Sequence, residues 1–599
     1  MSRMKIIAAG VALAMGSTCA FGAAPDEPAD AFIARTSDEL RALADELNAA
    51  AWAYSTYITP DTEFLNAKAS ERFLAHYSTV VDASTRYQAS ALDPRTARAF
   101  SQLRLGVETP APKDPARLAE FTQITTRLEG MYGAGKYCPQ GPESCRSLND
   151  LERVLADSRD YQALTEARTG WHSVARPMRA DYARLIELAN EGARDLGYDD
   201  MSVHWRAGYD MSPQQFSAEA ERLWNQVRPL YDQLHCYTRG RLAKQYGSDK
   251  VPAGQPIPAQ LLGNMWSQQW GEIYDLVEPY PGVAAPDLDT ALKQKGYDAV
   301  KMTRSAEDFY TSIGFPTLPE SFWQRSMLTK PRDRDVVCHA SAWHMDGKDD
   351  VRIKMCIEPT QDELFTIYHE LGHIYYDLWY KDQPILFQAG AHDGFHEAIG
   401  DTINLSMTPA YLAKIGLAPA TAPSREAVIN TQMRLALDKI AFLPFGKLID
   451  DWRWQVFSGQ ISPAEYNASW WKLRTDYQGI APPVARSEAD FDPGAKYHIP
   501  ANRPYMRYFL AHILQFQLHR ALCDAAGFTG PLHECSIYGN REAGARFGAM
   551  LAAGSSQPWP DTLEKLTGTR QMDASAIIEY FQPLMSYLEE QNKGQQCGW

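Results

Sequence analysis

The 599-residue chain has no Gly/Ser- or Pro-rich linker, no low-complexity block and no repeat of fixed period. This excludes a string of tethered modules or a solenoid. Without a boundary marker, residues 24–599 read as a single domain folded as two lobes. No segment beyond the first two dozen residues is long and apolar enough to span a bilayer, so no membrane anchor is expected. Positive charge is also scarce. With 59 Lys and Arg against 74 Asp and Glu, the formal net charge is −15, which argues against nucleic acid and anionic membranes as partners. What the chain does have is apolar material, 45% hydrophobic and 11% aromatic, ample for a large core.

Arg3 and Lys5 precede the run "IIAAGVALAMG", which is followed by the small-residue stretch "STCAFGAA" and Pro25. That is the pattern of a secretory signal peptide over residues 1–23, cut somewhere near residues 20–24. A lipoprotein reading through Cys19 is weaker, because "GSTC" is a poor acylation context. The expectation is an exported protein, periplasmic or secreted, and losing Arg3 and Lys5 makes it more acidic still. In an oxidising compartment the close pairs Cys138 and Cys145, Cys338 and Cys356, and Cys523 and Cys535 suggest local bridges. Cys236 and Cys597 have no close neighbour and read as buried free thiols.

Strand signals are few and helical periodicity dominates. In "TSDELRALADELNAAAWAYSTYI", Leu40, Leu43, Leu47, Tyr54 and Ile58 share a face, and Thr36 with Glu39 suggests a capping box. Ser212, Pro213 and Gln215 open another helix, carrying Leu223, Val227, Leu230 and Leu234. The best strand signal is "DVVCHASAWHM", turning at "DGKDD" into "VRIKMCIE". The fold class is therefore mainly α, with a small β-hairpin.

Directly after that hairpin comes "YHELGHIYYDLW". Pro359 and the Thr360/Glu363 pair start a helix expected to reach about residue 380, with Leu364, Tyr368, Leu371, Tyr375 and Leu378 as its buried stripe. His369 and His373, four apart, lie about 40° apart and one turn along the axis, so both imidazoles can reach one ion. Glu370 sits about 100° round, where a base for an activated water belongs. Two neutral imidazoles and a carboxylate suit zinc. Tyr376 and Trp379 occupy the positions where a metzincin needs Gly and His, so the third ligand must come from further on. "GFHEAIGDTINLSM" supplies Glu397, with Asp401 one turn later to orient a ligand histidine. His392 and His396 are rival third ligands, ranked below Glu397.

With those residues in hand, the chain resembles the angiotensin-converting enzyme family of zinc peptidyl-dipeptidases, in its bacterial, single-domain exported type. The resemblance runs through "LLGNMWSQQWGEIYDLV", "CHASAW", "HELGH", "HEAIGD", "IAFLPFGKLIDDWRW" and "FDPGAKYHIPANRPYMRYF", in that order. It implies a gluzincin-type helical ellipsoid split by a deep cleft, with one zinc held by His369, His373 and Glu397 and with Glu370 as general base. It makes His498 and Tyr508 the residues that hold the substrate carbonyl and its oxyanion, and His339 and Ala340 the segment that pairs with substrate backbone. Gln268, Lys496 and Tyr505 match the family's site for a C-terminal carboxylate. The family's carboxypeptidase branch has arginine at the position of Gln268, so glutamine implies release of dipeptides from oligopeptides with a free C-terminus. Chloride is a further implied ligand: Tyr209 and Arg507 resemble one site, Trp470 and Arg474 part of another, where His172 replaces an expected arginine. The short cysteine pairs follow the family's disulfide pattern. The alternatives are a helical zinc oligopeptidase that cuts internally and an inactive peptide-binding relative.

Overall fold

The computed structural model describes residues 27–88, 91–283 and 287–599, and the leader expected over residues 1–23 lies outside them. Helix α1 (Ala29–Thr56) begins about two turns before the cap expected at Thr36. Thr36 is buried inside the helix with no hydrogen-bond partner for its hydroxyl, and Glu39 pairs with Arg35 at 3.0 Å and His76 at 3.1 Å. The reason is tertiary. Phe32 is fully buried against the rings of Tyr87 and Phe100, at 5.1 and 5.6 Å, and this anchor outweighs a local cap signal. Helices α2 (Pro60–Ser84) and α3 (Pro94–Leu105) complete a small satellite core of Phe32, Leu40, Val80, Val81, Phe100 and Leu103. Both start on a capping side chain followed by proline, which supplies a preset φ where no N–H is needed. The same signal opens α4 (Pro115–Gly133).

The remaining helices share one continuous core. Helix α5 (Tyr161–Ser173) precedes α6 (Pro213–Tyr246), whose Ser212/Gln215 capping box and buried Leu223, Val227, Leu230 and Leu234 match the sequence reading. Cys236 on α6 is not a free thiol. It is bridged to Cys597, 361 residues away. The C-terminal tail folds back onto α6, where Arg239 donates to the carbonyls of Gln596 and Gly598 and Trp599 packs 4.5 Å from His235. The other three bridges, Cys138–Cys145, Cys338–Cys356 and Cys523–Cys535, are the expected ones.

Strand β1 (Ile257–Pro258) and helix α7 (Ala299–Ser312) lead to the hairpin. Its strands β2 (Ser341–His344) and β3 (Val351–Lys354) pair antiparallel over only four residues each, Ser341 opposite Lys354 and His344 opposite Val351. The expected ladder was longer. The Val337 N–H goes to the Ser55 carbonyl instead, while on the far edge of β3 Met327 donates its N–H to the Ile353 carbonyl and accepts from the Met355 N–H. The hairpin also touches the satellite layer, with Trp52 edge-on to Trp343 at 5.5 Å and Asn48 donating to the His344 carbonyl.

Helix α8 (Gln361–Tyr380) is capped by Thr360, whose hydroxyl accepts from the Glu363 N–H at 3.3 Å. It crosses α9 (Asp393–Leu405) in backbone contact. A Cβ on Gly372 would lie 2.5 Å from the Cα of Gly400, and one on Gly400 would lie 2.5 Å from the Cα of His369. Three further helices close the body: α10 (Arg425–Phe457), α11 (Tyr466–Gln478) and α12 (Met506–Ala525). Strand β4 (Ile480–Ala481) pairs parallel with β1.

Gly400→Ala will therefore destabilise the protein by about 1–3 kcal/mol through overpacking. Gly130→Ala, on the exposed face of α4 with nothing within 4 Å of a new Cβ, will have the opposite sign, about +0.4–1 kcal/mol. Denaturant unfolding of both variants checks this, and a neutral Gly400→Ala would refute the close crossing.

Candidate active site

The crossing of α8 and α9 brings together the donors singled out in the sequence. The Nε2 atoms of His369 and His373 face each other at 3.1 Å, and Glu397 Oε2 lies 3.7 Å from His369 Nε2. The ligand atoms of all three lie within 4.8 Å of one another. Tetrahedral zinc with Zn–N of about 2.05 Å needs nitrogens about 3.3 Å apart, so this set fits one zinc ion.

Behind His369, Asp401 Oδ1 is 2.9 Å from Nδ1, and its other oxygen accepts from Lys439 at 2.8 Å. Burial would raise Asp401, but Lys439 and His369 outweigh it and hold the carboxyl far below its usual range. Glu370 is only 7% exposed. Burial raises its pKa, partly offset by His369, which suits a carboxylate that must take up a proton. Neither rival histidine joins the cluster. His392 caps α9, its Nδ1 accepting from the Gly394 N–H at 3.1 Å. His396 lies behind His373, with the two Nδ1 atoms 3.1 Å apart.

Beside this cluster, α12 starts where Asp450 accepts from the N–H groups of Tyr505 and Met506 at 2.8 and 2.7 Å. Beside that cap three rings pack edge to face: His498 is 4.7 Å from Tyr505 and 5.8 Å from Tyr508, and the two tyrosines are 4.9 Å apart. Burial, then Lys496 and Arg453, push His498 down to about 3, so its ring is neutral. Burial raises the Tyr508 phenol, and Glu397 is the charge that raises it further, tying it to the donor cluster. His339 stays exposed at the entry to β2, its Nδ1 2.8 Å from the Ala340 carbonyl. Lys354 holds this segment by donating to the carbonyls of Val337 and His339 at 2.7 and 2.6 Å.

Gln268, Lys496 and Tyr505 also converge. Tyr505 donates to Gln268 Oε1 at 3.2 Å, and Lys496 Nζ lies 4.0 Å from the Trp266 ring and 5.6 Å from that of Tyr505. Two indoles fix the backbone there, Trp171 and Trp266 both donating to the Ala495 carbonyl, at 2.9 and 2.8 Å. Burial pushes Lys496 down to about 7, with only a partial offset from Glu152.

The two expected chloride groups differ. Arg507 is already met by Glu108 at 2.7 Å and Asp393 at 3.3 Å, and Tyr209 donates to Asp393 at 3.2 Å. Its charge is balanced within the chain. Arg474 is instead surrounded by the rings of Phe445, Trp470 and Trp471, at 4.9, 5.6 and 5.7 Å, and its buried Nε has no partner. His172 is neutral, pushed down to about 3 by burial and by Arg168. The sequence reading missed Arg168, one turn earlier on α5. It is 1% exposed, donates to Ser267 Oγ at 2.9 Å and leaves one buried guanidinium nitrogen unpartnered. An arginine at i−4 from His172 was the available signal.

The family model described as "Angiotensin-converting enzyme" (Peptidase M2) matches residues 24–599. The chain is 43% identical to the angiotensin-converting enzyme of Bos taurus over 588 residues, covering 96% of this chain and 45% of that protein. It is 44% identical to that of Rattus norvegicus over 563 residues, 92% of this chain and 42% of that one. Against that of Theromyzon tessulatum it is 40% identical over 564 residues, 92% of this chain and 91% of that protein. The chain thus spans less than half the length of these mammalian relatives and nearly all of the leech one.

A carboxylate placed against Lys496 will restore its charge, so binding above pH 7 must draw a proton from solution. Calorimetric titration of an acylated dipeptide at pH 8, in buffers of different ionisation enthalpy, will show uptake approaching about one proton. Uptake will vanish for the C-terminal amide and for Lys496→Met. A proton-neutral titration of the wild type at pH 8 would show that Lys496 is already charged there or meets no anion.

Proposed function

Because the chain belongs to the angiotensin-converting enzyme family, we propose that it is a zinc peptidyl-dipeptidase releasing dipeptides from the free C-terminus of oligopeptides. The observation that carries this is the pairing of a half-buried, metal-capable donor set, His369, His373 and Glu397, with a buried lysine, Lys496, that meets no carboxylate at ion-pair distance among the described residues. Zinc held there supplies Lewis acidity toward the attacking water and the scissile carbonyl. Glu370 takes the water proton and delivers it to the leaving amine. Asp401 keeps His369 oriented, with its proton on Nδ1 and Nε2 free to ligate. The Tyr508 phenol and the neutral His498 ring donate toward the carbonyl oxygen as it becomes an oxyanion. Lys496, Gln268 and Tyr505 grip the terminal carboxylate, and Ala340 offers backbone groups to the peptide. Glutamine at 268 leaves room for two residues beyond the scissile bond.

Chloride fits the pair Arg168 and Arg474 better than Arg507, since neither of the two meets a carboxylate at ion-pair distance among the described residues, whereas Arg507 lies between Glu108 and Asp393. The four disulfides support an exported protein, and among the described residues no helix is long and apolar enough to cross a membrane.

Mass spectrometry of products from a free-acid peptide and its amide tests the assignment. Dipeptides will accumulate from the acid, and chelation will stop the reaction. Glu370→Gln will keep zinc yet lose about 10²–10⁴-fold in kcat. Lys496→Ala will lose about tenfold to a hundredfold in kcat/KM for free-acid peptides and much less for amides. Single amino acids as the main product would overturn the dipeptidase reading.

A further inference from the structure

His396 was a rival ligand in the sequence and has no part in the proposed chemistry, yet this half-buried residue of α9 has a partner for each ring nitrogen. Its Nδ1 lies 3.1 Å from His373 Nδ1, and its Nε2 lies 3.0 Å from the Tyr380 hydroxyl. That hydroxyl donates in turn to Asp377 Oδ1 through a short hydrogen bond. Asp377 is 6% exposed. Its remaining polar neighbour is His344, 3.9 Å away on β2, and no lysine or arginine pairs with it among the described residues.

The direction of this chain follows from chemistry. A neutral imidazole that ligates through Nε2 carries its proton on Nδ1. His373 Nδ1 must then donate, so His396 Nδ1 accepts and His396 Nε2 carries the proton. His396 therefore donates to the Tyr380 oxygen, and Tyr380 donates to the carboxylate. Each link has one possible sense, and all run from the ligand toward Asp377. Three members lie on one stripe of α8, His373, Asp377 and Tyr380, at offsets of four and seven residues. The fourth comes from α9, next to Glu397. The ring of Tyr376, 4.5 Å from that of His396, closes the side of the chain.

We propose that His396, Tyr380 and Asp377 form a positioning relay that fixes the tautomer and orientation of His373, as Asp401 does directly for His369. This rests on the reading of His373 as a zinc ligand. Both ligand histidines then end on a carboxylate, one in a single step and the other through a histidine and a tyrosine.

The test measures zinc affinity by competition with a chromophoric chelator, the visible spectrum of the cobalt-substituted protein, and the melting temperature of the metal-free protein. Tyr380→Phe removes one oxygen and keeps the ring, and His396→Ala removes the whole link. Both will weaken zinc binding by about tenfold to a hundredfold and shift the cobalt bands. The metal-free melting temperature of Tyr380→Phe will stay near that of the parent. His396→Gln, whose amide oxygen still accepts from His373 Nδ1, will recover most of the affinity. Asp377→Asn with Tyr380→Phe will lose little more than either alone, because both cut the same chain. Parental affinity and cobalt spectrum in both Tyr380→Phe and His396→Ala would overturn the relay while leaving the ligand set intact. So would a His396→Gln variant as weak as His396→Ala. A parent protein that binds no zinc, or a His373→Ala variant that binds it as tightly as the parent, would overturn the ligand reading and the relay with it.

Discussion

Everything at the site depends on how closely α8 and α9 approach. Ordinary helix packing keeps axes about 8–10 Å apart, with side chains between them. Here Gly372 meets Gly400 backbone to backbone, and the Tyr310 hydroxyl of α7 pins the crossing by donating to the Tyr368 carbonyl at 2.8 Å. With a larger residue at either glycine, Glu397 would withdraw from the two histidines and the donor set would open. The opposite face of α9 is equally tight, since a Cβ on Gly394 would lie 2.9 Å from Leu510 Cβ. Helix α9 is thus clamped between α8 and α12, the helix that carries Tyr508. One glycine crossing and one glycine contact set three helices in register.

The charges inside this frame divide into two kinds. Several buried carboxylates are answered: Asp401 by Lys439, Asp492 by Arg486 and the Trp471 indole, and Asp450 by Arg453 and the N–H groups that open α12. Buried ions cost several kcal/mol unless paired in this way, so those pairs read as structure. Lys496, Arg168 and Arg474 are cations buried without such an answer, and burial lowers all three. In a chain with a net charge of −15, partners for them were plentiful. Leaving them unanswered fits the proposal that the counter-charge arrives with a ligand, a peptide terminus at Lys496 and a small anion at the two arginines. The contrast with Arg507, held between Glu108 and Asp393, shows how the same fold treats a cation that needs nothing from outside.

What the sequence could reveal follows from how far apart the interacting residues stand. The two histidines and Glu370 were legible because helix geometry alone places residues four apart on one face, and the Ser212 cap was legible for the same local reason. Where a distant contact decides, local reading fails. Phe32 extends α1 past the apparent cap at Thr36, Val337 leaves the hairpin for the Ser55 carbonyl, and the tail carries Cys597 back across 361 residues to Cys236. His396 is the instructive middle case. The sequence marked it as a metal-capable residue at the right distance along the chain from HELGH. Whether it ligates or supports a ligand depends on which of two neighbouring positions on α9 faces the crossing. The Gly372–Gly400 contact decides that by turning Glu397 toward the histidine Nε2 atoms and leaving His396 against the far nitrogen of His373. A one-residue rotation of α9 would exchange the roles, and the packed glycines oppose it.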